Sequence, residues 1–232
     1  LAEENATAQK LSDAVSITTV TPLEHAMIGV HGALALGLHL RHGWKICAIA
    51  GVAAASPDWD GLTLLYSASL YETSHRVWGH NLFACLLGGA LLGQLDYRLD
   101  FVTRVGRRFV RAARLEIPAA ALNLRSHYPR QGLIVWVCTS TAAAISHLPA
   151  DVFVSGHADY GNWAVQLLWP LSNRGWVDPR IPWGDVGVTL IFIAGTAAMV
   201  SRPQRLRWCA AGTLLAVATY VVVRPWLAIE FR

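Results

Sequence analysis

Charge is what this sequence has least of. Only 15% of its 232 residues are Asp, Glu, Lys or Arg, against about 25% in an ordinary soluble domain. With 54% hydrophobic residues gathered in long blocks, a soluble fold is disfavoured and a membrane-embedded one is expected. Cysteine is sparse as well. Cys47, Cys85, Cys138 and Cys209 each stand alone in an apolar segment with no CxxC spacing, so they read as small apolar residues and not as a disulfide framework or a thiol centre. No internal repeat or low-complexity tract is visible, although that does not exclude a diverged duplication. Leu1–Thr21 is polar, holds no recognisable cleavable signal, and reads as a truncated or processed terminus.

The apolar blocks form six candidate membrane helices, at His25–Leu40, Ile46–Ser56, Trp78–Leu95, Gly132–Leu148, Trp183–Val200 and Trp208–Trp226. A full crossing takes about 17 to 25 residues, so the second segment is too short and is either extended through Lys45 or re-entrant. The expected fold is all-α, a polytopic bundle of about six helices. A polar tail (1–22) precedes one membrane-embedded domain (23–232) that contains a basic connection (96–131). Trp44, Trp59, Trp78, Trp169, Trp176, Trp183, Trp208 and Trp226 fall at or near segment ends, the distribution of an aromatic belt.

Positive charge orients the bundle. One set of connections carries thirteen Arg and Lys residues; the opposite set, with both termini, carries six. The positive-inside bias puts the richer set in the cytoplasm of a bacterial-type inner membrane. The sequence pI of about 9.1 therefore reads as topology information, and no nucleic-acid partner is expected. In the 98–114 segment Phe101, Val105 and Phe109 recur every four residues among Arg104, Arg107, Arg108, Arg111 and Arg114. This fits a basic amphipathic helix on anionic inner-leaflet lipids, or equally a solvated basic loop that only enforces topology.

On this map His25, Asp58, Asp60, His75, Arg76, His80, His147 and Asp151 all fall on the non-cytoplasmic side, although topology was assigned from Arg and Lys alone. His147 and Asp151, four apart, share a helix face, with Pro149 between them freeing a backbone carbonyl. Asp58 and Asp60, two apart, point the same way if extended. The five-residue spacing of His75 and His80 puts His75 just before a helix and His80 in its first turn. Singly, each has a plain reading as a cap or an interfacial hydrogen-bonding residue. Jointly they favour a metal site, because unpaired carboxylates beside apolar helices are costly. Imidazole with carboxylate suits Zn, with Mn and Fe as alternatives, better than Ca or Mg. His25 joins on position alone, His157 and Asp159 are secondary candidates, and His31, His39, His42 and His127 read as structural.

The series Pro22-Leu23-Glu24-His25, Pro57-Asp58-Trp59-Asp60, His75-Arg76 with His80, Ser146-His147 with Asp151, and Leu168-Trp169-Pro170 resembles the YdjM-like membrane-bound metal-dependent hydrolases. That family is thought to be distantly related to zinc-dependent phospholipase C and the P1-type nucleases. The resemblance implies a helical site for one or two divalent ions acting on a phosphoester. The metal set is then His25, Asp58, Asp60, His75, His80, His147 and Asp151, with Asp60 bridging or taking a proton from water and Arg76 binding phosphate through its planar fork. Where the family usually shows Thr and Ser beside the second His of the His-Arg motif, this chain has Gly79 and Asn81, so the hydrogen bonding around His80 must differ. A phospholipid or lipid-linked phosphate is the expected substrate. A non-catalytic membrane subunit is the alternative, whereas a metal-ion transporter would carry its ligands near the bilayer midplane.

Overall fold

The computed structural model describes residues 21–114, 116, 122–125, 127–157, 161–183 and 185–227. These residues are predominantly helical. Helices α1 (Pro22–Ala35), α2 (Leu38–His42) and α3 (Trp44–Ala55) lead into a 3-10 helix (Ser56–Leu65) and the short α4 (Ala68–Ser74). Then follow α5 (Leu82–Leu99), α6 (Phe101–Ala112), α7 (Arg130–Phe153), α8 (Gly187–Ser201) and α9 (Leu206–Leu227). A two-residue antiparallel pairing of β1 (Gly156–His157) with β2 (Gly161–Asn162) follows α7.

Helix α3 is the centre of the bundle. Ile46, Ile49, Ala50, Ala53 and Ala54 are buried, and α1, α5 and α7 pack around them in a fold where small residues let backbones approach. A Cβ on Gly29 would meet the Ala50 carbonyl oxygen at 2.3 Å, and one on Gly89 would meet Thr141 Cα at 2.7 Å. Such contacts stabilise helix pairs in lipid, where burial of apolar surface between helices gives no advantage over lipid contact.

Six full crossings are met only in part. Among the described residues, two helices are long and apolar enough to cross a membrane, Arg130–Phe153 and Pro203–Leu227. The first segment is cut short because the chain turns at Gly37, whose φ of 71° takes it out of the α region, and resumes as α2. The third does not start at Trp78. Asn81 caps it by accepting a hydrogen bond from the Ala84 N–H at 2.8 Å, which places His80 before the helix instead of in its first turn. Asp58 and Asp60 lie on the 3-10 helix and not on extended chain. The amphipathic reading of the basic segment holds for α6, whose Phe101, Val105 and Phe109 are all exposed. Most of residues 115–121 lie outside the described residues.

Candidate metal centre

Four pieces of chain bring the site together. His25 comes from the first turn of α1, Asp58 and Asp60 from the 3-10 helix, His75, Arg76 and His80 from the α4–α5 link, and His147 and Asp151 from one face of α7. A 3-10 helix has about three residues per turn, so Asp58 and Asp60 reach His80 from different sides. Asp60 Oδ2 lies 3.0 Å from its Nδ1, and Asp58 Oδ1 lies 3.3 Å from its Nε2. His80 Nε2 is also 2.9 Å from Asp151 Oδ2, and His147 Nε2 is 3.1 Å from that same oxygen. His25 Nε2 approaches Asp151 Oδ1 at 3.3 Å while its ring stacks on His147 with centroids 3.5 Å apart.

Hydrogen bonds on the far side of His75, His80 and His147 decide how these imidazoles face inward. His147 Nδ1 lies 2.8 Å from the Ala54 carbonyl oxygen, which only accepts, so Nδ1 carries the proton and the lone pair is on Nε2. His75 and His80 both donate from Nδ1 to Asp60, at 2.7 and 3.0 Å. This carboxylate–histidine arrangement fixes tautomer and ring orientation for a metal ligand. Despite distances of 2.9 to 3.5 Å to carboxylates, His25, His80 and His147 Nε2 make no hydrogen bond, and neither do Asp58 Oδ2, Asp151 Oδ2 or His25 Nδ1. A buried polar group left unpaired costs about 1–3 kcal/mol. Five of these atoms, the three Nε2 atoms with Asp58 Oδ2 and Asp151 Oδ2, belong to the clustered residues, and a divalent cation is a group that satisfies nitrogen and carboxylate lone pairs together.

Three overlapping groups have ligand atoms within 4.8 Å of one another: His25, Asp58 and His147; Asp58, His75 and His80; and His80, His147 and Asp151. Six of the seven expected ligands are in these groups. Asp60 is in none. It is fully buried, and its oxygens accept from His75, His80 and the Gly79 N–H, the last at 2.9 Å. Burial alone would raise its carboxyl, but the hydrogen bonds and charge of His75 and His80 outweigh that and hold it below the ordinary carboxylate range.

Arg76 does not present a free fork. Its buried guanidinium donates from Nη1 to the Trp163 carbonyl at 2.7 Å and from Nη2 to the Val154 carbonyl at 3.2 Å, with Asp151 Oδ1 3.8 Å away. Both terminal nitrogens are engaged by the protein. His31 lies apart from the centre, with Nδ1 against the Met27 carbonyl and its ring tilted on Phe192. Asp159 and the side chain of His157 lie outside the described residues. Sequence reasoning missed Tyr71, stacked on His75 at 4.7 Å, and Trp163, in an edge-to-face contact with His75 at 5.1 Å. Tyr71 precedes His75 by four residues within one helical stretch, a detectable spacing; Trp163 has none.

The family model for YdjM inner membrane proteins matches residues 20–228. The chain belongs to that family. No curated protein and no solved structure matches it. As a YdjM-family chain it is an inner membrane protein with His and Asp clusters able to hold a metal ion. Its Gly79 and Asn81 now have physical reasons. A Cβ at Gly79 would lie 1.8 Å from the Pro57 carbonyl oxygen, so here the 3-10 helix and the His loop meet too closely for any side chain. Asn81 both caps α5 and donates to the Val77 and Trp78 carbonyls.

Proposed function

We propose that this protein is a membrane-bound, metal-dependent hydrolase of a phosphoester such as a phospholipid or lipid-linked phosphate. One observation carries the reading: three buried imidazoles hold unpartnered Nε2 atoms beside the carboxylates of Asp58 and Asp151, each of which has an unpaired oxygen, and two of those rings are pinned through Nδ1. His25, His75, His80, His147, Asp58 and Asp151 hold one or two divalent ions, with Zn the best match to this donor set. A bound ion supplies Lewis acidity and a water acidic enough to deprotonate near neutral pH.

The chain's own residues then divide the work. Asp60 orients His75 and His80. Asp58 is the carboxylate with an unpaired oxygen and the more exposed of the two, its side chain 18% accessible against 0% for Asp60, so it takes the proton-accepting role that the sequence suggested for Asp60. Arg76 positions Asp151 and ties α4–α5 to the segment after α7. In this reading all six apolar segments embed in the membrane, the metal centre faces the periplasm, and α6 lies on anionic inner-leaflet lipids. The Arg and Lys asymmetry supports the orientation; the exposed Phe101, Val105 and Phe109 beside arginines support the α6 contact.

A closed structural metal site is the second reading, favoured by the near-complete burial of His25, His80, His147 and Asp151. Release of phosphate or headgroup from a panel of lipid phosphoesters, by metal-replete protein and by D58A, tests the choice. Hydrolysis lost in D58A supports the enzyme. No hydrolysis by wild type with tightly bound metal establishes the structural reading.

A further inference from the structure

The 3-10 helix that supplies Asp58 and Asp60 has a second face. With about three residues per turn, side chains three apart eclipse one another. Pro57, Asp60 and Thr63 form the inward row: Pro57 and Asp60 are buried, and Thr63 donates to the Asp60 carbonyl and accepts from Ser74 Oγ at 2.9 Å. Trp59, Leu62 and Leu65 form another row, and all three are exposed, Leu65 to 86%. Tyr66, just past the end of the 3-10 helix, is also 86% exposed, and Trp78 stacks on Trp59 with centroids 6.3 Å apart. From Gly61 to Tyr71 the chain carries no charged residue. Water is a poor partner for such a surface, and a polar-rimmed protein docking site would carry charges in its rim.

Helix lengths set the depth of this row. From Arg130 to His147 on α7, and from Leu99 back to Leu82 on α5, the rise is about 26 Å at 1.5 Å per residue, close to the roughly 30 Å thickness of the hydrocarbon core. The metal centre therefore lies near the bilayer boundary opposite the Arg-rich connections. The apolar row beside it falls at the acyl–headgroup interface, where Trp and Tyr partition. Asp58, between Trp59 and the buried row, is the most exposed of the inward-facing ligands.

We propose that Trp59, Leu62, Leu65, Tyr66 and Trp78 form a lipid-inserted rim through which the metal centre opens to the membrane leaflet, so that its substrate is a membrane-resident amphiphile reaching Asp58 laterally. The choice of substrate rests on the hydrolase reading; insertion of the rim does not. The occupant is lipid because the row continues the apolar surface of an inner membrane protein at the depth where one face meets acyl chains.

The experiment uses full-length protein in phosphatidylethanolamine/phosphatidylglycerol vesicles, with a nitroxide on Leu65→Cys or Tyr66→Cys and on Asn173→Cys, an exposed polar loop position, after replacement of Cys138 and Cys209 by Ser. Labels at 65 and 66 should collide with oxygen at least several-fold more than with a water-soluble nickel chelate, and the label at 173 should show the reverse. Preferential nickel collision at 65 and 66 overturns the proposal. So does low access to both relaxants with spin–spin broadening, which would mean that a second copy covers the rim. The double variant L65E/Y66E keeps its metal content by elemental analysis but loses at least about tenfold in hydrolysis of a bilayer-embedded phosphoester, while a short-chain soluble analogue is turned over as before. If wild type hydrolyses neither ester, the hydrolase reading fails while the relaxant data still decide the rim. Equal loss on both esters overturns lateral entry.

Discussion

Asp60→Asn separates an orienting carboxylate from a metal ligand. The native side chain accepts three hydrogen bonds, from His75 Nδ1 at 2.7 Å, His80 Nδ1 at 3.0 Å and the Gly79 N–H at 2.9 Å. An amide keeps one accepting oxygen and turns an NH2 group toward at least one N–H that now has nowhere to donate. Either that bond is lost or an imidazole flips its tautomer and withdraws its inward lone pair. Loss of such a ring-orienting partner costs about 10–100-fold in metal affinity, and each bond to the carboxylate contributes about 1.5–3 kcal/mol to stability. The metal-free variant should therefore melt lower than metal-free wild type, and competition with a chromogenic chelator should give a 10–100-fold weaker affinity. The acid dependence follows the same bonds. Because the folded carboxyl is held below its ordinary range, its stabilisation is complete at neutral pH and is lost as pH falls below the ordinary carboxylate value toward the lower folded one. Asp60→Asn removes that acid-sensitive component. Unchanged affinity would refute the orienting role, whereas complete metal loss equal to that of D58A would make Asp60 a direct ligand.

His147→Ala should lose at least about tenfold in metal affinity by elemental analysis and chelator competition, while His127→Ala keeps wild-type content; equal content in both would remove His147 from the centre. Gly79→Ala forces a Cβ onto the Pro57 carbonyl, and because backbone yields less readily than a side chain, about 1–3 kcal/mol or more should be lost, visible as a lower thermal midpoint together with weaker metal binding. Cysteine-accessibility labelling of intact cells should reach positions beside Asp60 from outside and positions beside Arg107 and Arg202 only after permeabilisation; the opposite pattern would invert the topology.

The clustering of His and Asp was legible because its parts are local patterns. The i,i+4 spacing of His147 and Asp151 survives on α7 as a 3.1 Å contact, and Asp58, His75 and His80 flank elements whose apolar cores are obvious. The basic helix was legible from the same four-residue period, seen in Phe101, Val105 and Phe109. Boundaries were less legible where composition and geometry diverge. Trp78–Asn81 runs into the apolar segment with no proline or charged residue to separate them, yet the Asn81 cap and the tight approach at Gly79 exclude it from the helix. The first segment reads as continuous through Gly37, whose positive φ breaks it.

The roles of Asp60 and Arg76 were hidden for a different reason. Which oxygen is free depends on what donates to it, and a donor distant in sequence leaves no spacing to read. The Arg76 fork is taken by carbonyls of Val154 and Trp163, 78 and 87 residues away, and backbone acceptors have no residue-type signature at all. With Arg76 engaged and Asp60 enclosed by donors, Asp58 is the residue of the Asp-x-Asp pair that keeps an unpaired oxygen. Its neighbour in the chain is Trp59, the first residue of the exposed apolar row. Placing the more exposed aspartate next to that row requires only the three-residue turn that begins at Pro57, because the same turn sends Asp60 inward to accept from the imidazoles and Trp59 outward to the exposed face.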